Sequence, residues 1–160
     1  MPQEIIERSV EIGRACVSQK HRNIKVLYLL WKGLCSYLQK NGKTFLIGCT
    51  SISTQDPVEG MLAMEYLKKH NYYYPGFFVN PRPGFECRTD KTVPKETANF
   101  NLPRLFKAYL NHGTLACSAP AIDRAFKTID FLVICNPYEI DERMKQFFFG
   151  NANPPCPGKS

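Results

Sequence analysis

The clearest hydrophobic pattern along the chain is a run of apolar residues at three- and four-residue steps. Its members are Leu27, Leu30, Trp31, Leu34 and Leu38. This spacing predicts an amphipathic helix with one apolar stripe. Asn41-Gly42 follows the run and is typical of a helix end.

A weaker pattern precedes this helix. Val10 to Val17 alternate imperfectly between apolar and polar residues, with Glu11 and Arg14 as the only charges, and this predicts a strand. A strand that leads into a helix places backbone N–H groups at the turn, with the positive end of the helix dipole behind them. Phosphate is the usual ligand of such a turn. The segment Ser18 to Lys25 is therefore a candidate anion-binding site.

The pattern farther along the chain predicts alternating strands and helices. Phe45 to Thr50 is typical of a buried strand, which we expect to be parallel to the first. Asp56-Pro57 predicts a helix start. The further predicted elements are helices at Val58 to Lys69, at Pro103 to Asn111 (Leu105, Phe106, Tyr109 and Leu110 inward) and at Glu139 to Phe149 (Met144, Phe147 and Phe148 inward), and strands at Thr114 to Ala119 and Thr128 to Cys135. This order predicts an α/β sandwich of a mixed sheet and covering helices.

Two stretches lack a regular pattern. Tyr72 to Pro94 is rich in proline and aromatic residues and predicts an ordered loop with an extended piece at Gly76 to Asn80. This loop is either a lid or docking surface, or an insertion packed on the core. An exposed aromatic patch there would suit a membrane surface. Residues 151–160 predict a disordered tail, which leaves residues 1–150 as the one predicted domain.

Composition narrows the function classes. The net charge of +7 favours an acidic partner, which is nucleic acid, an anionic membrane surface or an acidic carrier protein. Lys and Arg are spread along the whole chain without a nucleic-acid-binding signature, so we expect no nucleic acid. The sequence shows neither an apolar run of about 20 residues nor a signal-peptide pattern. We therefore expect a cytoplasmic protein.

Cysteine and histidine spacing argues against a metal site or a disulfide framework. The seven cysteines show no C-x-x-C pair and mostly lie inside predicted apolar elements, so buried reduced thiols are expected. The three histidines are far apart in sequence, and we propose no metal.

Several separate blocks resemble one family. EIGRACV at Glu11 to Val17, the polar turn with Arg22 and the helix residues LLWKG are similar to the central unit of the GNAT-type N-acyltransferases that make ornithine lipids, often labelled hemolysin-like. More distantly, the acyl-homoserine-lactone synthases share Glu-x-x-Arg on this strand. The blocks FLIGCTSIS, LFKAYLNHGTLACSAPAID and TIDFLVI continue the resemblance over most of residues 9–149. It implies a GNAT-like α/β fold, a mixed sheet flanked by helices.

The resemblance also implies a missing part. In the family the equivalent of Val10 to Val17 is the fourth strand, so this chain looks like the C-terminal two-thirds and lacks the N-terminal strands. An unpaired first strand would need a cover. We expect either part of a longer acyltransferase, or an edge covered by a second copy or by a separate chain.

The implied reaction is N-acyl transfer without a tightly bound cofactor. The donor would be the phosphopantetheine thioester of a (3-hydroxy)acyl carrier protein, or acyl-CoA, and the acceptor the α-amine of ornithine or a similar amino acid. The donor arm would lie between the two parallel strands, with its phosphate at the turn. Candidate binding residues are Val17, Ser18, Lys20, Arg22, Asn23 and Lys25. The family's Q/R-x-x-G-x-G/A pattern appears from Arg22 without either glycine, which fits a single phosphodiester, and also fits loss of function.

Individual roles follow from the implied reaction. Glu11 is the candidate general base, and its alternative is an ion pair with Arg14 or another neighbour. Arg14 would hold the acceptor carboxylate or a backbone carbonyl. Tyr28 would protonate the leaving thiolate or simply pack, and Cys16 or Cys49 would be the nucleophile in an acyl-enzyme alternative. A different class of function is an inactive remnant that binds a carrier protein or the inner face of a membrane.

Overall fold

A computed structural model of the chain describes residues 1–93 and 100–150. The helices are α1 (Gln3–Glu7), α2 (Ile24–Lys40), α3 (Pro57–Lys69), α4 (Arg104–Asn111) and α5 (Glu142–Phe149). The strands are β1 (Ser9–Ile12), β2 (Phe45–Ile52), β3 (Thr114–Ala116), β4 (Ala121–Asp123) and β5 (Thr128–Cys135). The predicted tail at 151–160 and Pro94 of the predicted loop lie outside the described residues. None of the helices in the described ranges is long and apolar enough to cross a membrane.

The strands form a mixed sheet flanked by helices. Its order is β1-β2-β5-β3, and β4 pairs with β5 in antiparallel register. The predicted loop supplies two isolated parallel bridges, which join Tyr73 to Ala116 and Val79 to Ser118. The predicted extended piece at Gly76 to Asn80 therefore pairs with Ser118, just after β3. The α/β class that the sequence predicts is confirmed.

The capping signals were predicted correctly. The carboxylate of Asp56 accepts the N–H of Val58 at 2.9 Å, and Pro57 occupies the first turn of α3. These contacts satisfy or remove N–H groups that have no intrahelical acceptor. The C-terminal end of α2 was also predicted correctly. Asn41 is its C-cap residue, and Gly42 follows with a positive φ of 61°. A glycine adopts that backbone conformation without steric strain.

Three strands end at other residues than predicted. The strand predicted at Phe45 to Thr50 continues to Ile52, and the strand predicted at Thr114 to Ala119 ends at Ala116. The strand predicted at Val10 to Val17 ends at Ile12, because Arg14 adopts the left-handed region with φ 54° and breaks the extended backbone. The segment between the last two predicted strands forms the additional strand β4, which makes a hairpin with β5. Three residues are too few for a readable alternation, so the sequence pattern missed this strand.

The chain divides into two compact units. The first comprises Gly48–Ile134 with Met1, and its most buried side chains include Leu67, Phe106 and Phe131. The rings of Phe106 and Phe131 lie 5.8 Å apart, so α4 is fixed by an aromatic contact to β5. Leu105, predicted inward, is 50% exposed.

The second unit comprises Pro2–Ile47 and the described residues from Cys135 onward. Here α2 packs on α5 through Cys35, Trp31 and Phe148. This packing turns Leu30 to solvent, so its predicted place in the buried stripe is wrong. Phe147 was also predicted inward and is 46% exposed.

The start of the second unit is held by one arginine. The guanidinium of Arg8 donates to the hydroxyl of Thr44 at 3.0 Å and lies over the ring of Phe45. The carbonyl of Arg8 accepts the N–H groups of Thr44 and Phe45. These contacts fix β1 beside the start of β2, and they position the loop that follows β1.

Candidate anion-binding site

The loop between β1 and α2 is closed by its own side chains. Nε of Arg22 donates to the carbonyl oxygen of Val17 at 2.9 Å. Between them, residues Gln19–His21 form a 3₁₀ turn, in which the N–H of His21 donates to the carbonyl of Ser18 at 2.9 Å. The loop therefore has a defined shape before any ligand binds.

The N-terminus of α2 is capped by Asn23. Its side-chain oxygen accepts the N–H of Val26 at 3.1 Å, and its amide group donates to the carbonyl of His21 at 3.2 Å. The first N–H groups of a helix have no intrahelical acceptor. Of these N–H groups, the Asn23 side chain accepts only that of Val26. In the part of the chain that the structure describes, the N–H groups of Ile24 and Lys25 remain for an external acceptor.

The predicted binding residues come together in this loop. Ser18, Lys20, Arg22, Asn23 and Lys25 are exposed, and Val17 is half-buried. Arg22 uses only Nε to close the loop, and a guanidinium carries five N–H donors in total. The first turn of α2 contains no acidic residue. Positive charge and backbone donors thus meet at one exposed turn, which favours an anion.

One sequence signal for this site was missed. Between Glu11 and Asp56 the chain contains no Asp or Glu. The cations of the same stretch are Arg14, Lys20, Arg22, Lys25, Lys32, Lys40 and Lys43. Lys and Arg were described above as spread along the whole chain, but residues 12–55 carry only basic charges.

Of the two residues predicted for catalysis, Glu11 lies on β1 and Arg14 lies at the start of the loop. The carboxylate of Glu11 is exposed, and burial therefore does not assist its predicted role as general base. Within residues 1–93 and 100–150 the structure shows no ion pair between Glu11 and Arg14, which was the alternative for Glu11. Arg14 is exposed and holds the left-handed φ of 54°. A non-glycine residue in that region costs about 1 kcal/mol or more, and such strain clusters at functional sites.

Tyr28 lies in an aromatic cluster. Its ring meets Trp31 and Phe147 edge to face, at centroid distances of 5.7 and 5.8 Å. Lys32 lies over the same Phe147 ring. This packing agrees with the structural alternative for Tyr28, whose role as a proton donor stays a prediction.

The cysteines in the described part of the chain differ in exposure. Cys16 and Cys49 are exposed, Cys135 is half-buried, and Cys35, Cys87 and Cys117 are buried. Burial, with a smaller contribution from Cys135, raises the pKa of Cys35 from 9.0 to about 12. Burial also raises the pKa of Cys117 to about 12 and that of Cys87 to about 11. The buried thiols therefore stay protonated at neutral pH, and the acyl-enzyme alternative concerns the exposed pair alone.

Known proteins of one activity resemble the chain over nearly all of its length. It is 30% identical over 151 residues to an L-ornithine Nα-acyltransferase of Rhizobium meliloti, covering 91% of this chain and 51% of that protein. It is 31% identical over 152 residues to the protein of the same name in Agrobacterium fabrum, with the same coverage. For the Rhodobacter capsulatus protein of that name the identity is 26% over 145 residues, covering 88% of this chain and 55% of the relative.

The similarity covers only part of each of these proteins. The chain spans about half the length of the curated relatives it matches. No family model matches the chain. No solved structure matches it either. The resemblance predicted from the sequence is nevertheless confirmed, and the chain is similar to the L-ornithine Nα-acyltransferases over about nine-tenths of its length.

Proposed function

We propose that the chain takes part in the N-acylation of ornithine or a similar amino acid and supplies the surface that receives the acyl donor. The observation that carries this proposal is the similarity to several L-ornithine Nα-acyltransferases along about nine-tenths of the chain. The donor is the thioester of a (3-hydroxy)acyl carrier protein, and the product is a lyso-aminolipid made in the cytoplasm.

The donors at the turn between β1 and α2 support a binding site for the donor phosphate there. The N–H groups of Ile24 and Lys25 point from the first turn of α2, and Arg22 lies in a closed loop beside it. A phosphodiester needs several convergent donors and a positive potential, and this turn offers both. The acid-free stretch around it adds a field that attracts an acidic carrier protein.

The reaction itself needs few protein groups. Glu11 accepts a proton from the α-ammonium group of ornithine, directly or through water, and the neutral amine attacks the thioester carbonyl. The new C–N bond forms and the C–S bond breaks. The acylated nitrogen loses its second proton, which passes through water to the departing thiolate, and the proton held by Glu11 returns to solvent. Arg14 holds the acceptor carboxylate, which is a natural partner for a guanidinium.

A second candidate rests on length. Because the chain spans about half of each relative, a binding-only role for a carrier protein, without turnover, is the alternative. The two candidate functions predict different effects when the Glu11 carboxylate is removed. Removing this carboxylate stops acyl transfer in the first case and changes nothing in the second.

Lipid mass spectrometry of an expression host tests the proposal. We expect a new N-acyl-ornithine lipid in a host that expresses the chain, or the reading frame extended upstream, and none with Glu11→Gln. Carrier-protein affinity of the purified variants is measured in parallel. No new lipid from either frame, with carrier binding retained, would leave the binding-only candidate. Loss of both would contradict the proposal altogether.

A further inference from the structure

The β4–β5 hairpin has a tip of fixed shape. Asp123 pairs with Thr128 in the antiparallel register. The carboxylate of Asp123 accepts the N–H groups of Ala125 and Phe126, each at 2.8 Å. Lys127 then reverses the chain with a φ of 56°. The loop is thus held from inside by its own side chain.

Two neighbouring segments hold the hairpin from outside. The side-chain amide of Gln55 donates to the carbonyl of Asp123 at 2.7 Å and to that of Thr128 at 3.3 Å. The guanidinium of Arg124 donates to the carbonyl of Gly84 at 2.6 Å. The tip therefore presents its outward side chains from a rigid base.

The outward side chains include two aromatic rings. Phe126 is 78% exposed, the highest exposure among the large hydrophobic residues that the structure describes. Phe85 is 49% exposed. The two segments adjoin, because the carbonyl of Phe85 accepts the N–H of Ile122 at 2.7 Å. Two exposed rings on hydrogen-bonded segments of fixed backbone indicate an interaction site more strongly than a single exposed phenylalanine.

The segments that carry these rings also carry cations. Arg82, Arg124 and Lys127 are exposed on the same two segments. The carboxylate of Glu86 is neutralised by Arg88 at 3.2 Å and also accepts the N–H of Gly84 at 2.7 Å. Asp123 is the other acid, and its carboxylate is engaged within the turn. The surface therefore carries an excess of positive charge.

We propose that this hairpin-tip surface, formed by Arg82, Phe85, Arg124, Phe126 and Lys127, binds the face of an anionic phospholipid bilayer. Phenylalanine side chains of interfacial segments insert at the boundary between headgroups and acyl chains, and each Lys or Arg gains attraction near anionic headgroups. A protruding ring on a four-residue tip fits a deformable lipid surface better than a preformed protein pocket. The proposal does not depend on acyl transfer, and its failure would leave the proposed function unchanged.

Vesicle cosedimentation of the purified chain tests this surface. Vesicles of equal parts phosphatidylglycerol and phosphatidylcholine are compared with vesicles of phosphatidylcholine alone. We expect binding to the anionic vesicles. Phe126→Ala should weaken this binding by about tenfold, because the bilayer can no longer bury the phenylalanine ring. Lys127→Asn also weakens it, because asparagine tolerates the left-handed backbone while removing the charge. High salt weakens it further.

A matched variant separates this surface from the rest of the chain. Leu105→Ala removes another exposed apolar side chain, in α4, and should bind anionic vesicles like the unaltered protein. Urea unfolding confirms that Phe126→Ala remains folded. Equal binding by Phe126→Ala and the unaltered chain would overturn the proposal, as would equal binding to neutral vesicles. A change from dimer to monomer in Phe126→Ala, without vesicle binding, would instead assign the surface to a second copy.

Discussion

The guanidinium of Arg22 donates from Nε to the carbonyl oxygen of Val17 at 2.9 Å, across the loop that separates β1 from α2. One side chain therefore both closes the loop and contributes positive charge to it. Arg22→Lys keeps the charge and loses the planar donor group. We expect this variant to bind the acyl carrier protein about fivefold more weakly, which corresponds to one exposed hydrogen bond.

The comparison with Arg22→Gln separates the two roles. This variant loses the charge, so its affinity for the carrier protein should fall further, and less of the affinity should depend on salt. Fluorescence anisotropy of a labelled carrier protein measures both. Lys69→Glu, at an exposed position near the end of α3, is the control and should have a smaller effect. If Arg22→Lys bound like the unaltered chain, closure of the loop would be irrelevant to binding.

The cap of α2 permits a test that separates stability from donor binding. Asn23→Ala removes the acceptor of the Val26 N–H and should lower the free energy of unfolding by about 1 kcal/mol. Asn23→Asp retains a capping oxygen and adds a negative charge, which the helix dipole favours. We expect Asn23→Asp to be at least as stable as the unaltered chain in urea.

The same aspartate should damage the proposed phosphate site. A carboxylate at the cap repels the donor phosphate and competes for the N–H groups of Ile24 and Lys25. Carrier-protein affinity should therefore fall in Asn23→Asp although the fold is intact. An aspartate variant with unchanged affinity would place the donor phosphate elsewhere.

Backbone strain at Arg14 gives a prediction of opposite sign for stability and activity. Its φ of 54° is unfavourable for a residue with a Cβ, and glycine adopts it freely. Arg14→Gly should therefore raise the free energy of unfolding by about 1 kcal/mol, or leave it unchanged if the more flexible unfolded chain offsets the gain. If Arg14 holds the acceptor, N-acyl-ornithine formation is lost in this variant. Retained formation would make the strain merely structural.

Several elements of this fold follow from local chemistry. Asp56-Pro57 and Asn41-Gly42 mark helix ends through hydrogen bonds that involve only near neighbours, so the sequence predicts them. The strand Thr128–Cys135 contains a continuous apolar run, Phe131 to Cys135, that is long enough to be recognised. The run of cations around Arg22 was also readable, because it depends on residue type alone.

Other features depend on tertiary contacts. The apolar period of α2 fits more than one face, and packing of Trp31 on Phe148 of α5 decides that Leu30 faces solvent. The end of β1 depends on the backbone of Arg14, and an arginine gives no signal for a left-handed conformation. The closure of the loop by Arg22 is likewise a geometric fact that residue type does not predict.

Two helical glycines should respond oppositely to the same substitution. A Cβ on Gly60 would lie 2.9 Å from Sγ of Cys87 and 3.0 Å from Cδ1 of Ile129, both buried. Gly60→Ala should lower the free energy of unfolding by about 1–3 kcal/mol through overpacking. A Cβ on Gly33 meets nothing within 4 Å, so Gly33→Ala should stabilise α2 by about 1 kcal/mol. Urea denaturation of the pair checks this, and equal changes would contradict the close packing of α3.

The buried thiols predict a loss of stability at alkaline pH. Burial raises the pKa of Cys35 and Cys117 from 9.0 to about 12, so the folded chain retains protons that the unfolded chain loses. Their contribution is fully present below pH 9.0 and decreases as the pH rises toward 12. The expected loss is on the order of 1–3 kcal/mol per thiol.

Thiol labelling resolves the same effect residue by residue. At neutral pH an alkylating reagent should modify Cys16 and Cys49 first, and the buried Cys35 only when the chain unfolds. Peptide mass spectrometry over a pH series follows each thiol. Rapid labelling of Cys35 in the folded chain at neutral pH would contradict its burial.

We propose that the turn between β1 and α2 receives the phosphate of the acyl donor. The affinity of the chain for one acyl carrier protein, measured with and without the phosphopantetheine arm, tests this site. We expect about tenfold tighter binding of the form with the arm, and loss of that difference in Asn23→Asp. Equal affinity for the two forms would show that the turn does not bind the donor phosphate.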